Sequence, residues 1–482
     1  MNLKPANENW YFKYIAPRPE LNVYKDTSGN NYLLSAHMAA KLLLPLVLNK
    51  FRYEPVLKKW FEFNKQRWTD TAGVYHDVLD TMNDFKTFYE RPSDSSISMT
   101  PCQRLDRIHG DKFISHTLEI LQKFKDIHTH LADFDSNRDF INTPGGFYNL
   151  LKEAPPEANN AIHLCKQITS IAPLDDEDGK KCPMYMNHLK FCFNNDPIIL
   201  EWIEQISGYI LTGHVSQEFY WFSGLPGTGK STIANVWSQI LQDADLGGYA
   251  WSAPQDQFTH GKEKHATYDL KLAGKRLILI EELKGRWDEK KLKAYTSGNR
   301  ITANAMHTDP VSFMPTGKLL FTSNNQPSVD GQDQGLVRRM RLYGFTNVIP
   351  TMIDKFADKV FAEEGPYIFN RMIKYARKVL QQNCTLDTPV IVFQNTKHYF
   401  NNHNWLQQFI EDCLVTSPDL AITNKKLYTV YTLWCSENGY DPVSMQQLGK
   451  ALEAQLLKRC RIGAARGHQG IALNASYASK VY

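Results

Sequence analysis

Gly224-Leu225-Pro226-Gly227-Thr228-Gly229-Lys230-Ser231, followed by Thr232, matches the pattern G-x-x-x-x-G-K-[ST] at every fixed position. Glycines at this spacing let successive backbone N–H groups curl around phosphate oxygens, and a helix starting behind them adds its positive end. Lys230 is then placed to reach the β- and γ-phosphates of ATP, and the Ser231 hydroxyl to ligate Mg2+. The context agrees, because the apolar run Phe219–Phe222 leads in as a strand and Thr232–Leu241 leads out as a helix.

Holding a phosphate is not the same as hydrolysing it. The run Leu277-Ile278-Leu279-Ile280 reads as a buried strand, and Glu281-Glu282 follow at its carboxyl end, where open α/β sheets bind ligands. Glu281 is expected to hold the magnesium and its waters, and Glu282 to polarise the attacking water as general base. Glu281 stands where Asp is more usual, which lengthens the arm by one methylene. A third run, Lys318–Thr322, leads through Ser323 to Asn324. The amide of Asn324 suits a contact to the γ-phosphate and lytic water, and a plain turn residue ahead of Pro327 is the competing reading.

The elements that position these groups divide the chain into four regions. Residues 1–54 are aromatic-rich and carry no interpretable motif. Residues 55–212 read as mainly helical, with apolar residues at three- and four-residue spacing in Phe113–Phe124 and Ile198–Leu211. A loop rich in proline and acid, Glu153–Glu157 with Asp175–Lys181, interrupts them. Residues 213–350 change to short apolar runs bounded by Gly or polar residues, the pattern of buried strands in an α/β sheet. Residues 351–482 return to helix and end in a tail punctuated by Gly and Arg.

Composition is that of globular protein, 42% hydrophobic and 22% charged over 482 residues. The net charge of +4 is small, but Arg371–Tyr482 holds 13 Lys and Arg against 7 Asp and Glu. A basic C-terminal module is expected from that asymmetry, with a solvated basic face as the alternative. None of the eight cysteines stands in a C-x-x-C pair, so free thiols are expected rather than a zinc site. Met1–Asn9 has no apolar segment of a signal peptide. Leu42–Leu48 is far shorter than the ~20 residues needed to span a bilayer. A cytoplasmic protein with no membrane partner is the expectation.

The order of these motifs resembles superfamily 3 helicases, an AAA+ group carried by small viruses, phages and plasmids. Asn324-Asn325-Gln326-Pro327 is similar to the N-x-x-P of their third motif. Val337-Arg338-Arg339-Met340 with Gly344-Phe345 resembles their R-R-hydrophobic…F element, in which an arginine enters the neighbouring subunit's ATP site. Such a guanidinium neutralises charge on the departing phosphate. Arg339 is favoured for that role, with Arg338 as alternate. Lys293 to Gly298, leading to His307, resembles a K-x-x-T-x-G stretch that runs into a β-hairpin projecting into the ring channel. Alternation in Arg300–Met306 and Val311–Phe313 around His307–Pro310 fits a hairpin. The resemblance implies that Lys293 or His307 touches the phosphates of single-stranded DNA, although the family often carries Lys or Arg near that tip.

Upstream, Phe134-Asp135 through Asn142-Thr143-Pro144 to Gly146 looks like the F-D…N-T-P-x-G segment of the helical domain preceding the motor in phage/plasmid and poxvirus-type primase-helicases. Trp60–Trp68 and Gly208–Gly213 suit that domain's ends. Downstream, Leu427–Gly439 resembles the helix that opens their C-terminal winged helix. The implied architecture is multidomain: an α-helical N-terminal domain, a central AAA+ α/β P-loop ATPase and a C-terminal winged helix. Primases of the family carry paired Asp residues in a polymerase domain, and the segment before residue 55 is too short for one. A helicase without primase is therefore expected.

A translocating ring grips single strands through phosphates and aromatic stacking. Besides the hairpin, the candidate DNA contacts are Lys458, Arg459, Arg461 and Arg466, with a recognition helix ending near Leu457 and a wing carrying Arg466. These residues suit origin binding or non-specific attachment equally. The resemblance implies a homo-hexamer moving 3′→5′ on single-stranded DNA, acting on forked DNA with a separate primase or initiator as partner. The rival readings are a non-unwinding, nucleotide-switched replication initiator and a P-loop kinase or GTPase. No acceptor-site lid or guanine-reading motif supports the last.

Overall fold

The structure is a computed structural model describing residues 35–84, 110–176, 181–242, 248–259, 266–283, 285–303, 309–327, 329, 333–351, 353–402, 405–438, 442–454 and 458–481. The chain divides into two compact units, the first made of residues 1–284, 288–326 and 344–389, the second of 285–287, 327–343 and 390–482.

Among the described residues of the first unit, helix α1 (Ala36–Val47) comes first, followed by an antiparallel meander of β1 (Phe51–Glu54), β2 (Lys59–Phe63) and β3 (Trp68–Thr71). Helices α2 (Val74–Asp84) and α3 (Asp111–Leu121) complete this part. Leu43, Val47, Phe51, Val78, Ile114 and Leu121 form its core. The expectation of helix from residue 55 onward is corrected by β2 and β3. Aromatic and polar side chains alternate in Phe51-Arg52-Tyr53 and Phe61-Glu62-Phe63, the period of a strand, but over runs too short to be told from one helical turn in the sequence. The hairpin β4 (Phe140–Thr143) and β5 (Gly146–Asn149) follows.

The Phe134–Gly146 motif is a structural hub. Asp135 is buried in a left-handed conformation (φ 52°) and accepts the N–H groups of Lys166 (3.0 Å) and Gln167 (3.1 Å). Asn142 donates to the carbonyls of Gln66 (3.0 Å) and Gln167 (3.1 Å), and its N–H donates to the Tyr249 hydroxyl beside the central sheet. At Gly146 (φ 130°) a Cβ would fall 2.7 Å from the Glu157 carbonyl, which explains a glycine at that turn.

Helices α4 (Pro183–Cys192) and α5 (Pro197–Leu211) come next. Asp196 caps α5 by accepting from the Ile198 and Ile199 N–H groups, with Pro197 at its first position. The elements that follow are β6 (Phe219–Gly224), α6 (Lys230–Leu241), β7 (Ala250–Ser252), β8 (Leu277–Glu281), α7 (Glu289–Thr296), the hairpin β9 (Ile301–Ala303) and β10 (Val311–Phe313), β11 (Lys318–Ser323), β12 (Met340–Phe345), of which residues 344 and 345 belong to this unit, and α8 (Phe356–Gln381). They build a five-stranded sheet in the order β12-β6-β11-β8-β7. Strands β6, β11, β8 and β7 run parallel. Nearly every residue of β6, β8 and β11 is buried, as for strands covered on both faces. α8 packs along α5, and Gly208 lets the two backbones meet, since a Cβ there would fall on the Ala376 nitrogen.

The second unit holds a four-residue helix (Gln334–Val337), α9 (Val390–Asn402), α10 (Trp405–Cys413), β13 (Leu414–Thr423), α11 (Asn424–Asn438), α12 (Met445–Ala454), β14 (Lys458–Ile462), β15 (Ala465–Leu473) and α13 (Ala475–Val481). β13, β15 and β14 form an antiparallel sheet in that order. Leu406, Phe409, Leu427, Val430, Trp434, Leu452 and Ile471 make the core. The C-terminal module therefore opens one helix and one strand before Leu427–Gly439, because α10 and β13 supply part of its core. No helix among the described residues is long and apolar enough to cross a membrane.

Candidate active site

Parallel pairing fixes the geometry of the site. Ser223 of β6 lies opposite Ser323 of β11, and Thr322 of β11 opposite Glu281 of β8. The carboxyl ends of three neighbouring strands therefore deliver Gly224, Asn324 and Glu281-Glu282 to one edge of the sheet, and α6 starts from that edge at Lys230.

The loop between β6 and α6 is built around its glycines. A Cβ on Gly224 would fall on the Phe345 carbonyl, while Gly227 (φ 76°) and Gly229 (φ 86°) adopt left-handed conformations. Thr228 is buried and its hydroxyl donates to the Leu225 carbonyl at 2.9 Å. Leu225, Pro226 and Ser231 are exposed, and Thr232 is half-buried.

Lys230 is only 5% exposed. Its ammonium donates to the Leu225 carbonyl (3.0 Å) and to Asn324 Oδ1 (2.6 Å). Burial lowers its pKa, and the nearby Glu282 carboxylate pulls in the opposite direction. Glu281 is half-buried, and burial with repulsion from Glu282 raises its pKa. Glu282 is exposed in a left-handed turn (φ 56°), with its N–H donating to the Thr322 carbonyl at 3.0 Å. That bond anchors the turn to β11 and leaves the carboxylate outside the sheet. Glu281 and Glu282 follow β8, and Ser231 follows β6 two strands away in the same sheet; carboxylate and hydroxyl oxygens are the hard donors that a divalent cation takes.

The remaining residues singled out by motif lie elsewhere. Arg338 is exposed directly after the Gln334–Val337 helix. Arg339 is buried, its Nη1 donating to the Gly335 carbonyl at 2.7 Å and its Nε enclosed without a partner among the described residues. Lys293 lies half-buried in the last turn of α7. The expected hairpin is present, pairing Ala303 with Val311 and Ile301 with Phe313. His307, expected near the turn, lies outside the described residues. Lys458, Arg459 and Arg461 stand on β14 and Arg466 on β15 opposite Arg461, all exposed. Gly463 (φ 59°) makes the tight turn between them.

The motifs say nothing of His188 and Cys192, which contact the phosphate loop from α4 at 3.2 Å from the Gly229 carbonyl and 3.4 Å from the Thr228 carbonyl. The only available signal is their four-residue spacing, which places both on one helix face.

Three family models match the chain. Residues 40–207 match the D5 N-terminal-like family, residues 222–339 a family of unknown function (DUF5906), and residues 395–461 the poxvirus D5 protein-like family. A protein of Acanthamoeba polyphaga mimivirus provisionally named helicase L207/L206 is 23% identical over 91% of this chain. The chain spans half the length of that relative. Two ligand-free structures of the NrS-1 C-terminal region align over 91% of this chain and 100% and 99% of theirs, with 12% and 11% identity and TM-scores of 0.43 and 0.42.

Proposed function

We propose that this chain is a D5-type superfamily 3 helicase, an ATP-driven replicative DNA helicase with an AAA+ motor, a reading supported by the D5 N-terminal-like and poxvirus D5 protein-like matches. The carrying observation is the convergence of Lys230, Asn324 and the Glu281-Glu282 pair on one edge of a parallel sheet. In this reading the N–H groups of Gly224–Thr232 cradle the phosphates of ATP, and Lys230 exchanges its contacts with Leu225 and Asn324 for the β- and γ-phosphates. Ser231 and Glu281 would hold Mg2+, which would neutralise phosphate charge. Glu282 takes the proton of the attacking water, and Asn324 orients that water.

The DNA-binding part of the proposal rests on two basic features. One is Lys293 in α7, the helix that precedes the β9–β10 hairpin in the chain, with Arg300 between them. The other is the exposed basic set Lys458, Arg459, Arg461 and Arg466 on a hairpin that follows the order helix, strand, helix, helix, with Arg461 opposite Arg466 and Arg459 paired with Glu453. That order is the one a winged helix has, and a wing lies along phosphates. We assign the unit this fold, and we assign the assembly a homo-hexameric ring on single-stranded DNA, with a primase or initiator as partner.

The deciding measurement is unwinding of forked DNA with ATP and magnesium, using substrates with only a 3′ or only a 5′ loading strand. Unwinding of the 3′-loaded substrate alone is expected. ATP hydrolysis without unwinding of either substrate would replace the motor by a nucleotide-switched initiator.

A further inference from the structure

Three consecutive carbonyls of the phosphate loop accept hydrogen bonds from outside the loop. The Gly227 carbonyl accepts from the Ile349 N–H at 2.9 Å, Thr228 from the Cys192 thiol at 3.4 Å, and Gly229 from His188 Nε2 at 3.2 Å. Because a carbonyl oxygen can only accept, the His188 ring carries its proton on Nε2. Cys192 Sγ lies 3.5 Å from the same nitrogen, so the two side chains form one buried pair. Asn347, two residues before Ile349, donates to the Phe191 carbonyl (2.8 Å) and to Asn194 Oδ1 (2.6 Å), tying the third donor to the same helix end.

A planar trans peptide directs its C=O and N–H to opposite sides. Fixing the carbonyls of residues 227–229 on α4 and the 346–349 segment therefore turns the N–H groups of Thr228, Gly229 and Lys230 to the other side, where phosphate would sit. The fit is close. A Cβ on Gly229 would fall 2.6 Å from Cys192 Sγ and 2.7 Å from the His188 ring. Burying an imidazole and a thiol costs free energy unless both find partners, and the partners here are loop carbonyls.

We propose that His188 and Cys192 are positioning residues that set nucleotide affinity by holding the phosphate loop in its binding conformation before nucleotide arrives. The inference rests on the reading of Gly224–Ser231 as the nucleotide site. Its consequence is that α4, which lies in the part of the chain preceding the motor sheet, controls how tightly the motor takes ATP.

The test uses the full chain with a fluorescent N-methylanthraniloyl ATP and magnesium, together with steady-state ATP hydrolysis. His188→Phe keeps the ring volume and removes the donor; His188→Gln keeps a donor. His188→Phe is expected to raise Kd and KM about threefold, the lower end of what a hydrogen bond is worth, because the Gly229 carbonyl keeps the Ile233 N–H at 3.3 Å, while kcat changes less than KM. His188→Gln should recover most of the affinity. Cys192→Ala should weaken binding and Cys192→Ser restore it, which carries the test if His188→Phe does not fold. Wild-type affinity in folded His188→Phe, or equal affinities in Cys192→Ala and Cys192→Ser, overturns the proposal. Lys230→Ala separates the two levels: if it binds the probe as tightly as wild type, the nucleotide site itself is misassigned.

Discussion

Lys230 holds a position that only a competing anion can improve. Its ammonium is enclosed, and its partners, the Leu225 carbonyl and Asn324 Oδ1, are neutral. Burial without a full counter-charge is why its pKa falls. A phosphate would supply that charge and release Asn324 at the same moment. Lys230→Ala should therefore abolish both tight nucleotide binding and turnover. Glu282→Gln, which keeps the shape of the side chain but cannot accept a proton, should retain nucleotide binding while lowering kcat by ~10²–10⁴. A coupled phosphate-release assay with equilibrium binding checks both, and undiminished turnover in either variant would remove this site. These residues are legible in the sequence because phosphate chemistry restricts residue type at fixed spacing. His188 and Cys192 are not, since a helix reading Pro-Met-Tyr-Met-Asn-His-Leu-Lys-Phe-Cys carries no constraint visible until it is docked.

At the scale of elements, long buried strands and amphipathic helices follow from pattern. Phe219–Gly224, Leu277–Glu281, Lys318–Ser323 and Pro197–Leu211 emerge within a few residues of expectation. The strands at 51–71 and 140–149 do not, since runs of four or five residues are too short for periodicity to separate from one helical turn. Polar contacts lie between the segments beside these short strands and the five-stranded sheet. Lys275, just before β8, is buried and donates to Gln167 Oε1 (3.0 Å) and to the Gly248 carbonyl, and burial lowers its pKa to about 8. An unfolded lysine titrates near 10.4. Between these values the unfolded chain binds the extra proton, so Lys275 makes stability rise with pH across that window. Below pH 8 both states are charged and the full cost of burying the ammonium is present. Lys275→Met removes the titration. The melting temperature of wild type relative to Lys275→Met should therefore rise from pH 8 to pH 10, by an amount corresponding to roughly 2–3 kcal/mol. A flat difference over that range would mean that the lysine is solvated.

For the whole molecule, the arginine pair decides whether one chain is a complete enzyme. Motif position favours Arg339, but it is buried and bonded to Gly335 of its own short helix, whereas the adjacent Arg338 is exposed. A guanidinium that serves a neighbouring subunit must be free to leave its own surface. Arg338 therefore becomes the better candidate for that role, with Arg339 holding the turn that presents it. If sites form between subunits, an Arg338→Ala chain keeps a working phosphate loop and lacks the finger, while a Lys230→Ala chain has the reverse. Each should be inactive alone. Mixed in equal amounts, they should regain ATP hydrolysis at roughly a quarter of the wild-type level, the share of interfaces in a random head-to-tail ring that pair an intact loop with an intact arginine. The same mixture made with Arg339→Ala shows which arginine crosses the interface. No recovery in either mixture, with ring assembly intact by sedimentation, would confine the catalytic groups to a single chain and remove the basis for a motor that fires around a ring.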